Sequence, residues 1–584
     1  MTGEPCYARL GGMTCFTVWH DPAGTAGGVG VLVLPPFGWE EVCSYRARRD
    51  WAVHLADRGH TALRIDLPAT GDSAGSPRDT GLVEMWTGAV TDAAQLLRER
   101  PGVARVVAIG LGLGGMLATA AVAAGAAIDD LVLWGVPARG RALVRELRMF
   151  ARLEEWQRDD AAGAAPGDGS LLVGGALMSP ETVRDVAALD LSARGLSGGT
   201  GRRALLLERD GLPPDPVLCA RLEHQGWIVA IAPGEGFGHM VDRPHMSRAP
   251  TGVFDRVDRW IAEVPVVPAT HDAGADCASE MRLGGGPRAV VERALSLAGT
   301  FGIVAAPAEG ATAPVGVVLL NAGPIRRIGP GRLWVEMARR WAARGIASVR
   351  LDVAGVGDAD GRLNPYSPEV GLYEPSYVSQ VTRALDELEA HGFPGRLVVI
   401  GLCSGSYWGL WAAARDPRIQ AVFLINPRAI IMDAQLRRMR SETRKMTSLG
   451  NWAKVLRGDA SWRDVLRRGR LLLRAAAAAG ASMPGRIARR LGGAGGGAGD
   501  PVDDLFDGLR DTGRRVVFLF SEENEPLDEQ LTADGRFDGA RWPDVEKVVL
   551  AGTDHTLRPL VMQRAIHAEL DRLLDRELGA RTRG

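Results

Sequence analysis

No CxxC pair and no ladder of histidines accompanies the six cysteines of this 584-residue chain, Cys6, Cys15, Cys43, Cys219, Cys277 and Cys403. Their scatter excludes the usual zinc spacings and argues against a disulfide framework, so a reducing cytoplasm is the expected setting. Charge of one sign is lacking as well: 69 basic residues face 70 acidic ones. The molecule as a whole has no field that would gather nucleic acid or a membrane surface. The opening "MTGEPCYARLGG" has neither the basic start nor the apolar run of a secretory signal. One uncharged run, Val106 to Ile128, approaches the length of a membrane span, but its glycines break it into a buried strand, a turn and a helix. The glycine string "GLGLGG" superficially suggests a dinucleotide loop, yet no P-loop lysine follows it. No metal or cofactor is expected.

What the chain does have is an internal echo. "LADRGHTALRIDLPATGDSAG" from Leu55 aligns without a gap with "WAARGIASVRLDVAGVGDADG" from Trp341, an offset of 286 residues. Asp66 meets Asp352, Gly71 meets Gly357, Asp72 meets Asp358 and Gly75 meets Gly361. Copies this long predict tandem domains rather than a solenoid. Each copy alternates apolar strands with helical patterns (Gly30–Leu34 and Val315–Leu320, then Ala62–Leu67 and Ala347–Val353), which indicates an α/β fold with a mostly parallel sheet flanked by helices. The expected division is a domain over 1–263, a Pro- and Gly-bearing linker over 264–285, and a second domain over 286–584. A helical cap insertion is expected at about 430–510. From Ile430 to Gly499 it holds 15 basic against 4 acidic residues, which suits an acidic partner or a solvated face.

In the second copy, Gly401, Cys403 and Gly405 form G-x-C-x-G after the apolar "RLVVIG", the setting of a nucleophile elbow. Ser404 and Ser406 lack glycine two residues away on both sides. A thiol at the start of the following helix gains from the helix dipole, which favours thiolate. His555 in "LAGTDHTLRP" follows the last strand and is the expected general base. The acid slot in "FLFSEENEPLDE" holds Asn524, with Glu525 as the alternative if the turn shifts by one. The amide of Ser404 and that of Ala322 or Gly323 are candidate oxyanion donors, and Pro324 has no N–H to give. Arg326 and Arg327 extend from the same loop, toward an anionic substrate or toward solvent. In the first copy the elbow reads Gly110, Leu111, Gly112, Leu113, Gly114. A glycine at the nucleophile position excludes covalent catalysis there. Asp210 and His239 hold the acid and base slots, 29 residues apart against 31 in the second copy, and are expected to be vestigial.

With these motifs placed, both halves resemble the α/β-hydrolase superfamily. The second, through "LLNAGPIRRIGPGRLWVEMAR", "RLDVAGVGD", "GLCSGSYWG" and "GTDHTLRP", resembles hydrolases found near bacterial exopolysaccharide and natural-product clusters. The first, through "LPPFGWEEVCSYRARR", resembles a subgroup of the same hydrolases. The thiol nucleophile is similar to that of dienelactone hydrolases and of cysteine acyltransferases. The resemblance implies acyl transfer through an acyl-Cys403 thioester, with an acyl or aminoacyl thioester as substrate and an acidic carrier protein as a partner. Simple ester or thioester hydrolysis, and binding without turnover, are the alternatives.

Overall fold

The computed structural model describes residues 3–24, 27–156, 167–193, 195, 201–269, 277–310, 312–362, 371–430, 501–522 and 539–579. Two sheets organise it. The first contains β1 (Glu4–Leu10), β2 (Met13–His20), β3 (Val29–Leu34), β4 (Thr61–Ile65), β5 (Arg105–Leu111) and β6 (Asp130–Trp134). A small hairpin follows, β7 (Leu171–Val173) with β8 (Ala176–Met178), before β9 (Arg203–Leu207) and β10 (Ile228–Ala232) complete the sheet in the order β1-β2-β4-β3-β5-β6-β9-β10. The second sheet contains β11 (Glu280–Leu283), β12 (Val290–Leu297), β13 (Thr300–Pro307), β14 (Val315–Leu320), β15 (Ser348–Asp352), β16 (Arg396–Leu402), β17 (Ile419–Ile425), β18 (Arg515–Ser521) and β19 (Val545–Leu550). Its order, β11-β12-β13-β15-β14-β16-β17-β18-β19, is that of the first sheet with one strand added at the edge.

From β4 to β10 and from β15 to β19 every pairing is parallel, with helices on both faces, the arrangement of an α/β-hydrolase fold met twice. The central strands β3 and β14 are apolar throughout. In β3, Leu32 and Leu34 pack with Trp86 and Leu97 on one face, while Val31 and Val33 pack with Trp51 and Phe254 on the other. In β14, Val318 and Leu320 face one core and Val317 and Leu319 the other.

Three expectations need correction. The antiparallel strands β1–β2 and β11–β13 lie outside the alternation read from the sequence; in β1, β11 and β12 exposed residues interrupt the apolar pattern. The expected linker over 264–285 contains β11, so the second sheet begins at Glu280. Cys6 and Cys277 form a disulfide, where the scatter of cysteines argued against a disulfide framework. Its cause is tertiary: Tyr7 pairs with Ala278 in an isolated antiparallel bridge, which lays the connecting segment along β1. Of the expected cap, residues 431–500 lie outside the described residues, and helix Pro501–Asp511 is present. No helix among the described residues is long and apolar enough to cross a membrane.

The two halves meet face to face through residues that the 286-residue echo pairs. Arg64 donates to Asp358 at 2.5 Å, and its counterpart Arg350 donates to Asp72 at 3.1 Å. Arg46 donates to the carbonyls of Gly357, Ala359 and Gly361, while Arg332 donates to those of Gly71, Ser73 and Gly75, the corresponding positions, and to that of Ala69. The Arg64–Asp358 contact and the three matched carbonyl contacts of Arg46 therefore occur twice, as in an isologous dimer. Near the centre, the rings of Phe16 and Phe301 lie 6.3 Å apart under the guanidinium of Arg327.

Arg326 and Arg327 are thus interface residues, which corrects the expectation that they face substrate or solvent. Arg326 pairs with Asp66 and Glu41, and Arg327 with Asp72, Asp352 and Asp358. Charges taken out of water need such partners, and these carboxylates show the strain of sharing them. Burial raises the Asp358 carboxyl, but Arg64 and Arg327 outweigh it and hold the group well below the usual range. Asp352, pushed up by burial and by Asp358 more than Arg327 pulls it down, sits at about 6.

Candidate active site

Cys403 occupies the turn between β16 and helix Ser404–Ala413 with φ 57° and ψ −110°. A left-handed φ costs a non-glycine residue about 1–3 kcal/mol and persists only where the surroundings impose it. Here they do so by close packing. A Cβ on Gly401 would lie 2.3 Å from the Gly405 backbone, and one on Gly405 would lie 2.7 Å from the Leu320 carbonyl oxygen. The Cys403 amide is tied to the Ile425 carbonyl at 2.9 Å. The thiol is half-buried at the N-terminus of its helix, and the Tyr373 hydroxyl lies 3.8 Å from its sulfur. Nothing in "GLYEPSY" distinguishes Tyr373 from a core tyrosine, and sequence reasoning missed it.

The two oxyanion alternatives separate. The Gly323 amide donates to Ser404 Oγ at 2.8 Å, so it is not directed at a substrate oxygen as the sequence reading allowed. The amides of Ala322 and Ser404 have no hydrogen-bond partner among the described residues. They flank the elbow as an oxyanion hole requires.

His555 follows β19, and its loop is held by a residue the sequence reading did not single out. Asn426, fully buried at the end of β17, donates from Nδ2 to the His555 carbonyl at 2.8 Å and accepts from the Ser521 amide at 2.8 Å. It therefore ties the ends of β17 and β18 to the histidine loop. Asn426 has φ 43°, a conformation asparagine tolerates better than most residues; Gly135, at the end of β6 in the first half, has φ 66°. The available signal was an Asn directly after the apolar run "QAVFLI". The His555 ring accepts at Nε2 from Arg428 Nε at 3.3 Å, so the neutral ring carries its proton on Nδ1. Asp554 is buried, which raises its carboxyl, but Arg558 and Thr556 more than compensate and leave it below the ordinary value. Asn524 and Glu525 lie outside the described residues.

The first half repeats the elbow without the chemistry. Gly112 has φ 48° and ψ −116°, close to the Cys403 backbone. Asp210 spends both oxygens on the amides of Gly236 and Gly238, at 2.5 and 2.7 Å, capping helix Phe237–Val241. His239 is exposed and makes no side-chain hydrogen bond among the described residues, so the two do not form a pair. Beside the glycine stands Glu40, which pairs with Arg209 at 3.2 Å. Burial pushes its carboxyl up to about 7 despite that arginine.

No family model matches the chain, and no curated protein matches it. Among solved structures it is similar to Est1E from Butyrivibrio proteoclasticus with bound ferulic acid, at 14% identity, covering 44% of this chain and 98% of that one with a TM-score of 0.32. The α/β hydrolase GrgF from Penicillium sp. sh18 matches at 17% identity over 45% of this chain and 97% of its own, with a TM-score of 0.33. Proline iminopeptidase from Mycobacterium smegmatis matches at 17% over 50% and 99%, with a TM-score of 0.31.

Proposed function

We propose that the second half is an acyl-transfer enzyme working through an acyl-Cys403 thioester, and that the two halves are tandem copies of which the first has lost covalent chemistry. The observation that carries the reading is the backbone of Cys403. A left-handed φ between two glycines that admit no side chain is a costly way to seat an ordinary buried thiol, and a direct way to present a nucleophile above the sheet. In the proposed cycle Arg428 releases His555 Nε2, which takes the thiol proton, and Sγ attacks the carbonyl carbon of a thioester. The amides of Ala322 and Ser404 hold the oxyanion. Collapse breaks the bond to the donor sulfur, which leaves with the proton from His555. An acceptor then surrenders its proton to His555, attacks the acyl-Cys403 carbonyl, and restores the thiol. Asn524 or Glu525 would orient the imidazole.

Exchange between thioesters keeps the acyl group activated, which suits a cysteine better than a serine. The 15 basic residues against 4 acidic ones between Ile430 and Gly499 suit an acidic carrier protein or the phosphates of coenzyme A as donor. The test is intact mass after incubation with acyl-carrier-protein and acyl-coenzyme A thioesters. The expected result is an adduct of one acyl group that is absent in Cys403→Ala. Adduct formation in Cys403→Ala, or no adduct from any donor, overturns the reading. An adduct that decays in water with no acceptor added marks a hydrolase rather than a transferase.

A further inference from the structure

One cavity lined by both halves does not lie over Cys403. It has a volume of about 470 Å3 and lies between the halves, beside the glycine elbow of the first, where Leu113 and the loop Pro35–Gly38 form part of its wall. That size suits a small organic ligand. Phe37, Leu82, Trp86, Leu113 and Leu177 line its apolar side. The second half closes the other side with Ile328 to Arg332 and with Leu560 to His567 of the last helix.

One buried cation in that wall has carbonyl partners but no direct carboxylate contact. Arg332 is 7% exposed, and its guanidinium meets only carbonyl oxygens. A buried cation ordinarily finds a carboxylate. Its counterpart in the first half, Arg46, does so, pairing with Asp50 at 3.2 Å one helical turn on. The residue that echoes Asp50 is Glu336, and it lies exposed, forming no ion pair with Arg332. Burial, followed by the neighbouring Arg339, lowers the Arg332 guanidinium to about 10, outweighing the opposite pull of Glu336, Asp72 and Glu292. Glu41 and Asp66, the other carboxylates of the wall, are engaged by Arg326. Two further arginines, Arg78 and Arg564, line the cavity from exposed positions.

We propose that this cavity binds an amphipathic anion, an apolar chain ending in a carboxylate or phosphate, with the head toward Arg332 and the chain against Trp86 and Leu177. It holds the ligand without turnover, since Gly112 offers no nucleophile and Asp210 is committed to a helix cap. The inference does not depend on the chemistry of Cys403.

The test is calorimetric titration of the full chain with decanoate, decyl phosphate and decyltrimethylammonium. One anion is expected to bind per chain, equally in wild type and Cys403→Ala, and the preferred head group identifies carboxylate or phosphate. Leu177→Trp fills the apolar side and Arg332→Gln removes the charge; each is expected to weaken binding by about tenfold or more, the worth of one charge-assisted contact. Because Arg332 also ties the halves together, Arg564→Ala and Leu177→Trp decide the matter if Arg332→Gln does not fold. Equal binding of the cationic amphiphile, no binding of either anion, or binding untouched by Leu177→Trp overturns the proposal.

Discussion

Replacing Gly112 by cysteine separates the elbow from the rest of the catalytic apparatus. A Cβ added at Gly112 would meet Glu40 Oε2 at 3.6 Å and Pro36 Cβ at 3.7 Å, both ordinary contacts, so the side chain fits. The backbone already has φ 48°, against 57° at Cys403, so no rearrangement is needed. The cost is that of a left-handed non-glycine residue, about 1–2 kcal/mol, which lowers the melting temperature by about 2–8 °C. The new thiol is nonetheless expected to be inert. His239 is exposed and unpaired with Asp210, and the nearest titratable group is Glu40, whose carboxyl titrates at about 7 and whose charge would oppose a thiolate. Gly112→Cys is to be made in the Cys403→Ala background and assayed by intact mass with the thioester donors that acylate wild type. The expected outcome is a folded protein with no adduct. Acylation of position 112 at a rate near that of Cys403 would refute the reasoning, because the elbow alone would then suffice and the separation of His239 from Asp210 would be irrelevant.

Two more predictions concern the residues that hold the second half in place. Asn426→Gly keeps the left-handed backbone and removes the ties to His555 and Ser521; acylation of Cys403 is expected to slow by about 10- to 100-fold through a misplaced imidazole, and Asn426→Asp, which retains the acceptor for Ser521, is expected to recover part of the rate in stopped-flow measurements. Glu292 is fully buried between Arg339 and Arg350, each at 2.8 Å, and although burial raises its carboxyl the two arginines bring it to about 2. A free glutamate titrates near ~4.3, so the folded state keeps this charge to lower pH; its contribution of about 3 kcal/mol is complete above pH ~4.3 and lost as pH falls toward 2. Denaturant midpoints should fall over that window in wild type and lose that component in Glu292→Gln. Asp352, raised to about 6, acts in the opposite sense, costing stability as pH rises through its titration.

The parallel strands were legible because burial on both faces leaves an unbroken apolar run, as in "VGVLVL" and "VGVVLL". The elbow was legible because three residues at fixed spacing suffice to define it. The antiparallel strands gave no such signal: β12 runs "VVERALSL", with Glu292 and Arg293 inside it, and Glu292 is buried there between Arg339 and Arg350. The disulfide was hidden for a different reason. Cys6 and Cys277 are separated by 271 residues, and no local pattern announces that the connecting segment returns to β1. Arg326 and Arg327 looked like surface charges because their partners Asp66 and Asp72 sit in the other half. The echo of Asp72 by Asp358 was visible, but alignment of two copies does not reveal that they face each other.

That facing geometry gives the first half a role that does not require a nucleophile. Arg558, three residues past His555, donates to Glu154 of the first half at 2.7 Å and reaches back to Asp554 at 2.8 Å. Glu154 in turn accepts the Gly174 amide of the β7–β8 turn, and that turn lines the cavity between the halves. A continuous series of charged and polar contacts thus runs from the wall of the cavity, through Glu154, Arg558 and Asp554, to the loop that bears the histidine. Contiguity alone does not make two sites communicate, since a coupling free energy requires an element with two arrangements that both sites bias. The series does set a constraint on sequence. Substituting Glu154 removes one carboxylate partner of Arg558 and leaves Asp554 paired with it beside His555.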